Sequence, residues 1–153
     1  MKGFESVDLI KAYELLNGAN VALVCTKGKN EGQSNETPYG WFTTYDYEPV
    51  TKVLFSSDPA HQAVANVERT KEFAICIPSD ENADFIAKCG TVSNPDADKF
   101  KMFDLKGAKA SAIDVNILPE NSKAIIEFKL IKVMEESTVK LILGEAVAAW
   151  KKN

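Results

Sequence analysis

The chain has 153 residues, with 18 lysines and arginines against 22 aspartates and glutamates, so its formal net charge is −4. This acidic balance excludes a general nucleic-acid binder, because neutralising phosphates needs a surplus of basic side chains. Hydrophobic residues make up 45% and charged residues 26% of the chain, which is typical of a globular domain and excludes disorder. We therefore expect one domain spanning residues 1–153.

Signals for membrane insertion and for disulfide bonding are missing from the sequence. No apolar run approaches the roughly 20 residues that cross a bilayer, and the first residues include acids where a signal peptide is basic and then apolar. Cys25, Cys76 and Cys89 are far apart and odd in number, which does not make a disulfide framework or a CxxC pair. We expect a cytoplasmic protein that contacts no membrane and keeps its cysteines reduced.

The single histidine, His61, limits the chemistry that side chains can perform. Multi-histidine metal sites need several imidazoles, and a hydrolytic triad needs its histidine beside a nucleophile and an orienting acid. We therefore predict no metal site and no catalytic side chain, and we expect any chemistry to come from a bound cofactor.

The chain begins with a predicted helix and a predicted strand. Residues 6–17 place apolar side chains at helical spacing, with Ser6 as a candidate N-cap and Gly18 as the stop. Residues 20–26 are a β-branched apolar run, and residues 27–35 are rich in Gly, Asn and Ser. This pattern predicts a short helix lying across a sheet, then a strand and an exposed turn.

A second group of elements follows the exposed turn. Residues 39–44 and 51–57 are strand-like and are joined by a loop. Asp58 is a good N-cap, and Pro59 is favoured at the first helical position. These two residues predict a helix over residues 59–67.

The next part of the chain alternates a strand, a helix and a long connection. Residues 72–78 form a strand-like apolar run, and Ser79 predicts the cap of a helix that closes at Gly90. Residues 91–110 mix Gly, Pro, Asp and Lys around a few apolar residues, which predicts a long connection with a few buried anchors. Long connections inside compact domains are often functional.

Two long strands end the chain. Apolar and polar side chains alternate over residues 124–133, and residues 139–150 form a second run that Gly144 interrupts. We expect these strands to pair in antiparallel fashion. The strands are too many and the helices too short for a doubly wound sheet, and no Gly-rich phosphate loop follows the first strand. A mostly antiparallel barrel with helices at its ends is the predicted arrangement.

Several segments, taken in order, resemble the flavin reductase-like, FMN-binding split-barrel family that includes flavoredoxins. They are NVALVCT, SNETPYGWFTTYDYEP, TKVLFSSDPAHQAVANVERTKEFAICIP, AKCGTVSNPDADKF and LILGEAVAAW. The resemblance covers the chain from about Asn20 to Trp150. Its most diagnostic parts are DPAHQAVANVERTKEF, the later Asp98-Lys99-Phe100, and Gly144-Glu145.

The resemblance implies a mainly β fold, a six-stranded antiparallel split barrel with short flanking helices, working as a homodimer with noncovalently bound FMN. It assigns flavin contacts to the segment after the first strand, to the strand end and helix start near residue 58, and to the loop near residue 99. The corresponding candidate residues in this chain are Asn35, Thr37, Trp41, Phe42, Thr43, Thr44, Ser56, Ser57, His61, Gln62, Ala63 and Lys99.

The predicted phosphate segment departs from the family pattern. Many relatives carry an Arg and a Thr or Ser at the helix start, where this chain has His61, Gln62 and Ala63. Arg binds phosphate through a bidentate fork and Ala offers no hydroxyl, so we expect a weak hold on FMN. Asp58 would repel phosphate, and we assign it to helix capping.

Ordinary structural roles compete with the predicted ligand contacts. His61 is as consistent with a solvated surface histidine as with a ligand group. Lys99 is most simply a solvated lysine, and a cation held over an anionic ligand is the alternative. Trp41 and Phe42 fit a core as well as a cofactor wall, although their alternation favours one facing in and the other facing a ligand.

Three functions remain open from the sequence. The first is an FMN oxidoreductase, either an NAD(P)H-dependent flavin reductase or a flavoredoxin-type electron-transfer protein, in which the flavin performs the redox chemistry. NAD(P)H or a redox protein is then the partner. The second is a noncatalytic FMN carrier, and the third is a degenerate split barrel without flavin.

Overall fold

The structure, a computed structural model, describes residues 1–82, 86, 89–90 and 97–153. Its strands are β1 (Phe4–Ser6), β2 (Ala22–Lys27), β3 (Ser34–Tyr39), β4 (Phe42–Asp46), β5 (Lys52–Ser57), β6 (Glu72–Pro78), β7 (Ala108–Lys109), β8 (Asn116–Ile117), β9 (Ser122–Glu136) and β10 (Val139–Lys152). The α-helices described are α1 (Gln62–Thr70) and α2 (Lys99–Met102), and the 3₁₀ turns are Ala12–Leu15, Asp80–Asn82 and Pro119–Asn121.

One antiparallel sheet dominates the molecule. Its strands follow the order β3-β2-β6-β9-β10-β5-β4, with β1 added beside β10, while β7 and β8 form a separate small pair. The two arms of the sheet approach each other where the Tyr39 hydroxyl of β3 lies 2.8 Å from Ser57 Oγ of β5. The mainly β, antiparallel split-barrel class is confirmed, although the described sheet has eight strands rather than six.

A line of aromatic rings fills the interior of the barrel. Tyr39 contacts Phe55 with ring centroids 4.9 Å apart, Phe55 contacts Phe73 at 5.3 Å, and Phe73 stacks on Phe128 at 5.1 Å. These rings are buried in one apolar cluster with side chains of α1. The barrel interior therefore anchors β3, β5 and α1, the three elements that surround the candidate site.

A second apolar cluster lies on the other face of the sheet. Phe100 of α2, Ile113 and Ile117 pack against Leu23 and Ile125 of the sheet. Since successive strand residues point to opposite faces, β2, β6 and β9 are buried on both sides. The two clusters explain why β2 and β6 read as nearly continuous apolar runs, while the alternating strand β9 is buried on both faces over residues 124–128.

Several predicted elements are confirmed. The predicted strand over residues 72–78 matches β6, and the two long terminal strands pair in antiparallel fashion as β9 and β10. The interruption predicted at Gly144 is a register shift between Leu143 and Gly144. An added Cβ at Gly144 would lie 2.6 Å from the Phe73 ring, so the packed core requires a glycine here.

The helix predicted over residues 6–17 is wrong in extent. The structure has the short strand β1, paired with the end of β10, and a 3₁₀ turn over Ala12–Leu15. Thr51 fixes this segment, because its backbone N–H donates to Leu9 O at 2.8 Å and its hydroxyl accepts from Tyr13 N at 2.9 Å. Contacts to the sheet therefore override the helical spacing.

Two other boundaries differ from the prediction. Ser34 and Asn35, assigned to an exposed turn, are buried in β3, because α2 packs against that edge strand of the sheet. The strand predicted over residues 39–44 is broken between Tyr39 and Phe42. The helix predicted over residues 59–67 begins three residues later, at Gln62.

The helix predicted from Ser79 to Gly90 lies partly outside the described residues, as does the long connection over residues 91–110. The described parts contain the 3₁₀ turn Asp80–Asn82, a hydrogen bond from Gly90 N to Ile86 O, and α2. Among the described helices, none has the length and apolar character needed to cross a membrane.

Candidate functional site

The segment from Ser56 to Ala63 links β5 to α1 through a tight turn. The Asp58 carboxylate accepts from Ala60 N at 2.8 Å, and Asp58 O accepts from His61 N at 3.1 Å. Asp58 therefore stabilises the turn before the helix, and the prediction that it caps the helix is wrong. The turn occupies the three residues between the end of β5 and His61, which is the N-cap of α1.

The N-terminus of α1 is suited to an anion. The first N–H groups of a helix have no partner within the helix, and the helix dipole makes this end positive. Its first turn contains no acidic residue, and the His61 side chain makes no capping hydrogen bond within the described residues. The N–H groups of Gln62 and Ala63 thus belong to a helix end that resembles phosphate sites in other proteins.

Tyr39 joins the two sides of this site. Its hydroxyl lies 2.8 Å from Ser57 Oγ and 3.4 Å from His61 Nδ1, and Ser57 Oγ donates to Asp58 O at 3.0 Å. Burial raises the pKa of Tyr39 to about 12, so the phenol keeps its proton at neutral pH. The structure thus brings together two predicted residues, Ser57 and His61, through a tyrosine that sequence reasoning did not single out.

A second polar network runs along the inner face of α1. Gln62 Nε2 donates to Asn66 Oδ1 at 3.1 Å, and Asn66 Nδ2 donates to Thr26 Oγ1 of β2 at 3.0 Å. Arg69 also donates to Asn66 Oδ1, at 3.1 Å, and to Lys27 O. Buried Asn66 therefore orients Gln62, another functional detail that sequence reasoning missed.

Two candidate residues carry buried oxygens without partners. Asn35 Oδ1 and Thr44 Oγ1 have no hydrogen-bond partner among the described residues. Asn35 pairs with Thr26 across β2 and β3, beside the network of Asn66. Buried polar atoms in folded proteins are usually satisfied, so these oxygens fit donors supplied by a ligand.

Side chains around the break between β3 and β4 alternate between the barrel core and the protein surface. Phe42 packs on the barrel core, whereas 75% of the Trp41 surface is exposed. Thr43 is exposed, with its hydroxyl donating to Thr44 O at 3.1 Å. One aromatic residue faces inward and the other outward, as alternation along a strand predicts, and a ligand contact of Trp41 stays a prediction.

Lys99 lies against β3, the strand that contains Asn35 and Thr37. Its ammonium is buried and donates to Glu36 O at 3.0 Å and to Cys89 O at 2.9 Å. Burial lowers the pKa of Lys99, against the opposing effect of the Glu36 charge. The ammonium is bound by protein carbonyls, and a ligand contact of Lys99 stays a prediction.

The three cysteines lie near Lys99, around the buried side chain of Glu36. Cys25 Sγ and Cys76 Sγ are 3.7 Å apart, and all three thiols are free and buried. The pKa of Cys89 is raised, first by burial and then by Glu36, so this thiol is not activated. Within the described ranges, no group of His, Cys, Asp and Glu side chains is arranged to hold a metal ion.

Comparisons with known proteins agree with this fold. A family model described as the flavin reductase-like domain matches residues 16–153. The chain is similar to an FMN-binding domain of a flavin reductase-like enzyme from Shewanella baltica, with 22% identity, a TM-score of 0.82, and coverage of 97% of this chain and 77% of that chain.

Two further solved structures are similar. The flavoredoxin of Desulfovibrio vulgaris has 22% identity and a TM-score of 0.78, over 94% of this chain and 74% of that chain. The NADH:FAD oxidoreductase of Streptomyces globisporus has 15% identity and a TM-score of 0.75, over 87% and 75%. No curated protein matches the chain significantly. The family model covers nearly the whole sequence, and the chain therefore belongs to the flavin reductase-like domain family.

Proposed function

We propose that this protein is an FMN-binding oxidoreductase of the flavin reductase or flavoredoxin type. The observation that carries the proposal is the helix N-terminus of α1, free of acidic residues, beside Ser57 and His61 in a chain of the flavin reductase-like family. The similar structures include an FMN-binding domain, a flavoredoxin and an NADH:FAD oxidoreductase, which supports the same class of chemistry.

The residues of the candidate site fit a flavin nucleotide. The phosphate would meet the backbone N–H groups of α1 together with Ser56, His61 and Gln62, while the Ser57 hydroxyl, which donates to Asp58 O, would hold Tyr39 beside them. The ring would lie against the β3 to β4 segment, where the unpartnered oxygens of Asn35 and Thr44 accept hydrogen bonds. When bound, the flavin supplies transfer of two electrons as a hydride, so the protein's part is to hold and orient it.

The phosphate hold is expected to be weak. No arginine lies in the segment from Ser56 to Ala63, and the exposed Asp58 carboxylate lies within the same turn. Without a guanidinium fork, phosphate binding depends on backbone N–H groups and on the side chains of His61 and Gln62. This composition favours a protein that exchanges its flavin rather than one that retains it.

We also propose a homodimer in the cytoplasm that accepts electrons from NAD(P)H or from a redox protein. Trp41 is exposed next to the ring segment, which fits a pocket completed by a second subunit. The three free, buried cysteines fit a reducing compartment.

Steady-state oxidation of NADH and NADPH by the purified protein with added FMN tests the proposed function. We expect protein-dependent oxidation that saturates as the FMN concentration rises, with the same mixture lacking protein as the control. Flavin binding without NAD(P)H oxidation would contradict a reductase and favour a carrier or a flavoredoxin-type protein that a redox protein reduces. Absence of flavin binding would contradict the whole proposal and favour a split barrel without flavin.

A further inference from the structure

We propose that Tyr39 is a positioning residue that holds neutral His61 with its proton on Nδ1, leaving Nε2 to face a phosphate ligand. The tautomer follows from contacts within the chain alone, whereas the phosphate contact rests on the proposed function.

The protons of three side chains determine this tautomer. Ser57 has one hydroxyl proton, and it is directed at Asp58 O at 3.0 Å. Ser57 Oγ must then accept the 2.8 Å hydrogen bond from Tyr39, which uses the only proton of the phenol. The remaining contact, 3.4 Å between Tyr39 and His61 Nδ1, is a hydrogen bond only when Nδ1 carries the proton.

The chain of donors therefore runs in one direction, from His61 through Tyr39 and Ser57 to a backbone carbonyl. Tyr39 is buried and packs against Phe55 with ring centroids 4.9 Å apart, so its hydroxyl has a fixed position. The half-buried His61 ring lies 5.9 Å from the Tyr39 ring. No described residue is hydrogen-bonded to His61 Nε2.

This tautomer has a consequence for phosphate. Neutral His61 with its proton on Nδ1 offers only a lone pair at Nε2, which repels the oxygens of an anion. The protonated ring offers an N–H at Nε2 and a positive charge, and both attract phosphate. Because Tyr39 holds the first ring proton on Nδ1, His61 can donate to phosphate only when Nε2 is protonated as well.

The groups around the ring leave few other sources of pH dependence. The titratable neighbours are Tyr39 of β3 and Asp58 of the turn, while β5 contributes the uncharged Ser57. The first turn of α1 contains no acidic residue. The pKa of Tyr39 is raised to about 12, so the phenol does not titrate in the pH range where an imidazole does.

Nitrogen-15 NMR of the ring nitrogens at pH 8, without ligand, tests the tautomer directly. The chain contains one histidine, so the signals need no assignment. We expect a protonated Nδ1 and an unprotonated Nε2 in the wild type. Tyr39→Phe removes the acceptor, and Ser57→Ala frees the phenol proton to donate to Nδ1, so both substitutions should shift the proton toward Nε2.

Tyr45→Phe is the matched control, because Tyr45 is an exposed tyrosine on β4, and it should leave the ring signals unchanged. A wild-type ring protonated at Nε2 at pH 8 would overturn the proposal, as would unchanged signals in Ser57→Ala. Ser57→Ala keeps the test valid if Tyr39→Phe fails to fold.

FMN titration of the same variants tests the consequence for phosphate. We expect FMN affinity of the wild type to rise about tenfold from pH 8 to pH 6, the effect of one charge-assisted contact, with riboflavin unaffected. Tyr39→Phe should bind FMN more tightly than the wild type at pH 8. Its FMN affinity should change only about twofold between pH 8 and pH 6. Equal pH dependence in the two proteins would overturn the phosphate role.

Failure of both proteins to bind FMN would overturn the proposed function, while the ring signals would still decide between the two tautomers.

Discussion

Glu36 lies fully buried in β3, and neither of its carboxylate oxygens has a hydrogen-bond partner among the described residues. Burial raises its pKa from 4.5 to about 7, while the neighbouring Cys89 thiol and Lys99 ammonium oppose that rise. Near neutral pH the folded protein therefore holds a mixture of protonated and ionised Glu36.

We expect Glu36 to make the protein less stable as the pH rises from about 4.5 to 7. The unfolded chain releases this proton near pH 4.5, whereas the folded state keeps it up to about pH 7, so the folded state binds more protons in that window. Glu36→Gln should flatten the pH profile and raise the free energy of unfolding at pH 8 by up to about 3 kcal/mol.

Urea unfolding of Glu36→Gln and the wild type between pH 5 and pH 8 measures this difference. Glu135→Gln, an exposed site on β9, is the matched control and should follow the wild type. A variant whose stability falls with pH as steeply as the wild type would show that Glu36 is not the group responsible.

A second prediction concerns Asp58. Because its carboxylate accepts one exposed hydrogen bond from Ala60 N, Asp58→Ala should lower the free energy of unfolding by about 0.5 to 1 kcal/mol. Removal of its charge should strengthen FMN binding and leave riboflavin binding unchanged, since only FMN carries phosphate. Denaturant unfolding and titrations with both flavins check these effects, and weaker FMN binding would place Asp58 among the ligand contacts.

At the scale of elements, β10 depends on the glycine at its register shift. Gly144 pairs with Leu130 of β9 and Val53 of β5, under the ring of Phe73. A Cβ here would lie 2.6 Å from that ring and 3.3 Å from Lys129 O, and overpacking of a core typically costs about 1 to 3 kcal/mol.

Gly144→Ala should therefore lower the free energy of unfolding by about 2 kcal/mol, measured by thermal or denaturant unfolding. Phe73→Leu in the same chain opens space at the ring and should recover part of that loss. Additive losses in the double variant would mean that Phe73 does not make the contact responsible.

The elements that the sequence predicted well are those with strong local patterns. β6 and the β9 to β10 pair have long apolar runs and a clear turn, and their pairing followed from the pattern alone. β3 was missed in part because Ser34, Asn35 and Glu36 are polar, and residues distant in sequence, α2 among them, pack against this strand.

The contacts between side chains of the candidate site could not be predicted from the sequence. The segment from Ser56 to Ala63 follows from family resemblance, whereas the link from Tyr39 to His61 depends on how β3 approaches β5. Glu127 illustrates the same limit. It is a polar position in an alternating strand, and its carboxylate is buried and accepts from Ser111, Ala112 N and Trp150 Nε1.

At the scale of the whole molecule, exposed aromatic side chains mark β4, the last strand of the sheet path. Trp41 and Tyr47 are exposed by 75% and 51%, and Tyr45 lies between them. Light scattering at micromolar concentration should give the mass of a dimer, because large aromatic residues are enriched in the buried centres of interfaces.

Trp41→Ser should weaken that dimer, while Met102→Ser, which changes an exposed apolar residue on α2, should not. A wild-type protein that scatters as a monomer at this concentration would contradict the proposed homodimer.

We propose that the helix N-terminus beside His61 binds the phosphate of a flavin. The direct test is a fluorescence titration at pH 7 in which the protein is added to FMN and, separately, to riboflavin. We expect saturable quenching of both flavins, with FMN bound about tenfold more tightly, and roughly 1 kcal/mol stronger FMN binding in His61→Arg with no change for riboflavin. Equal affinities for FMN and riboflavin, or equal responses of both to His61→Arg, would contradict the claim.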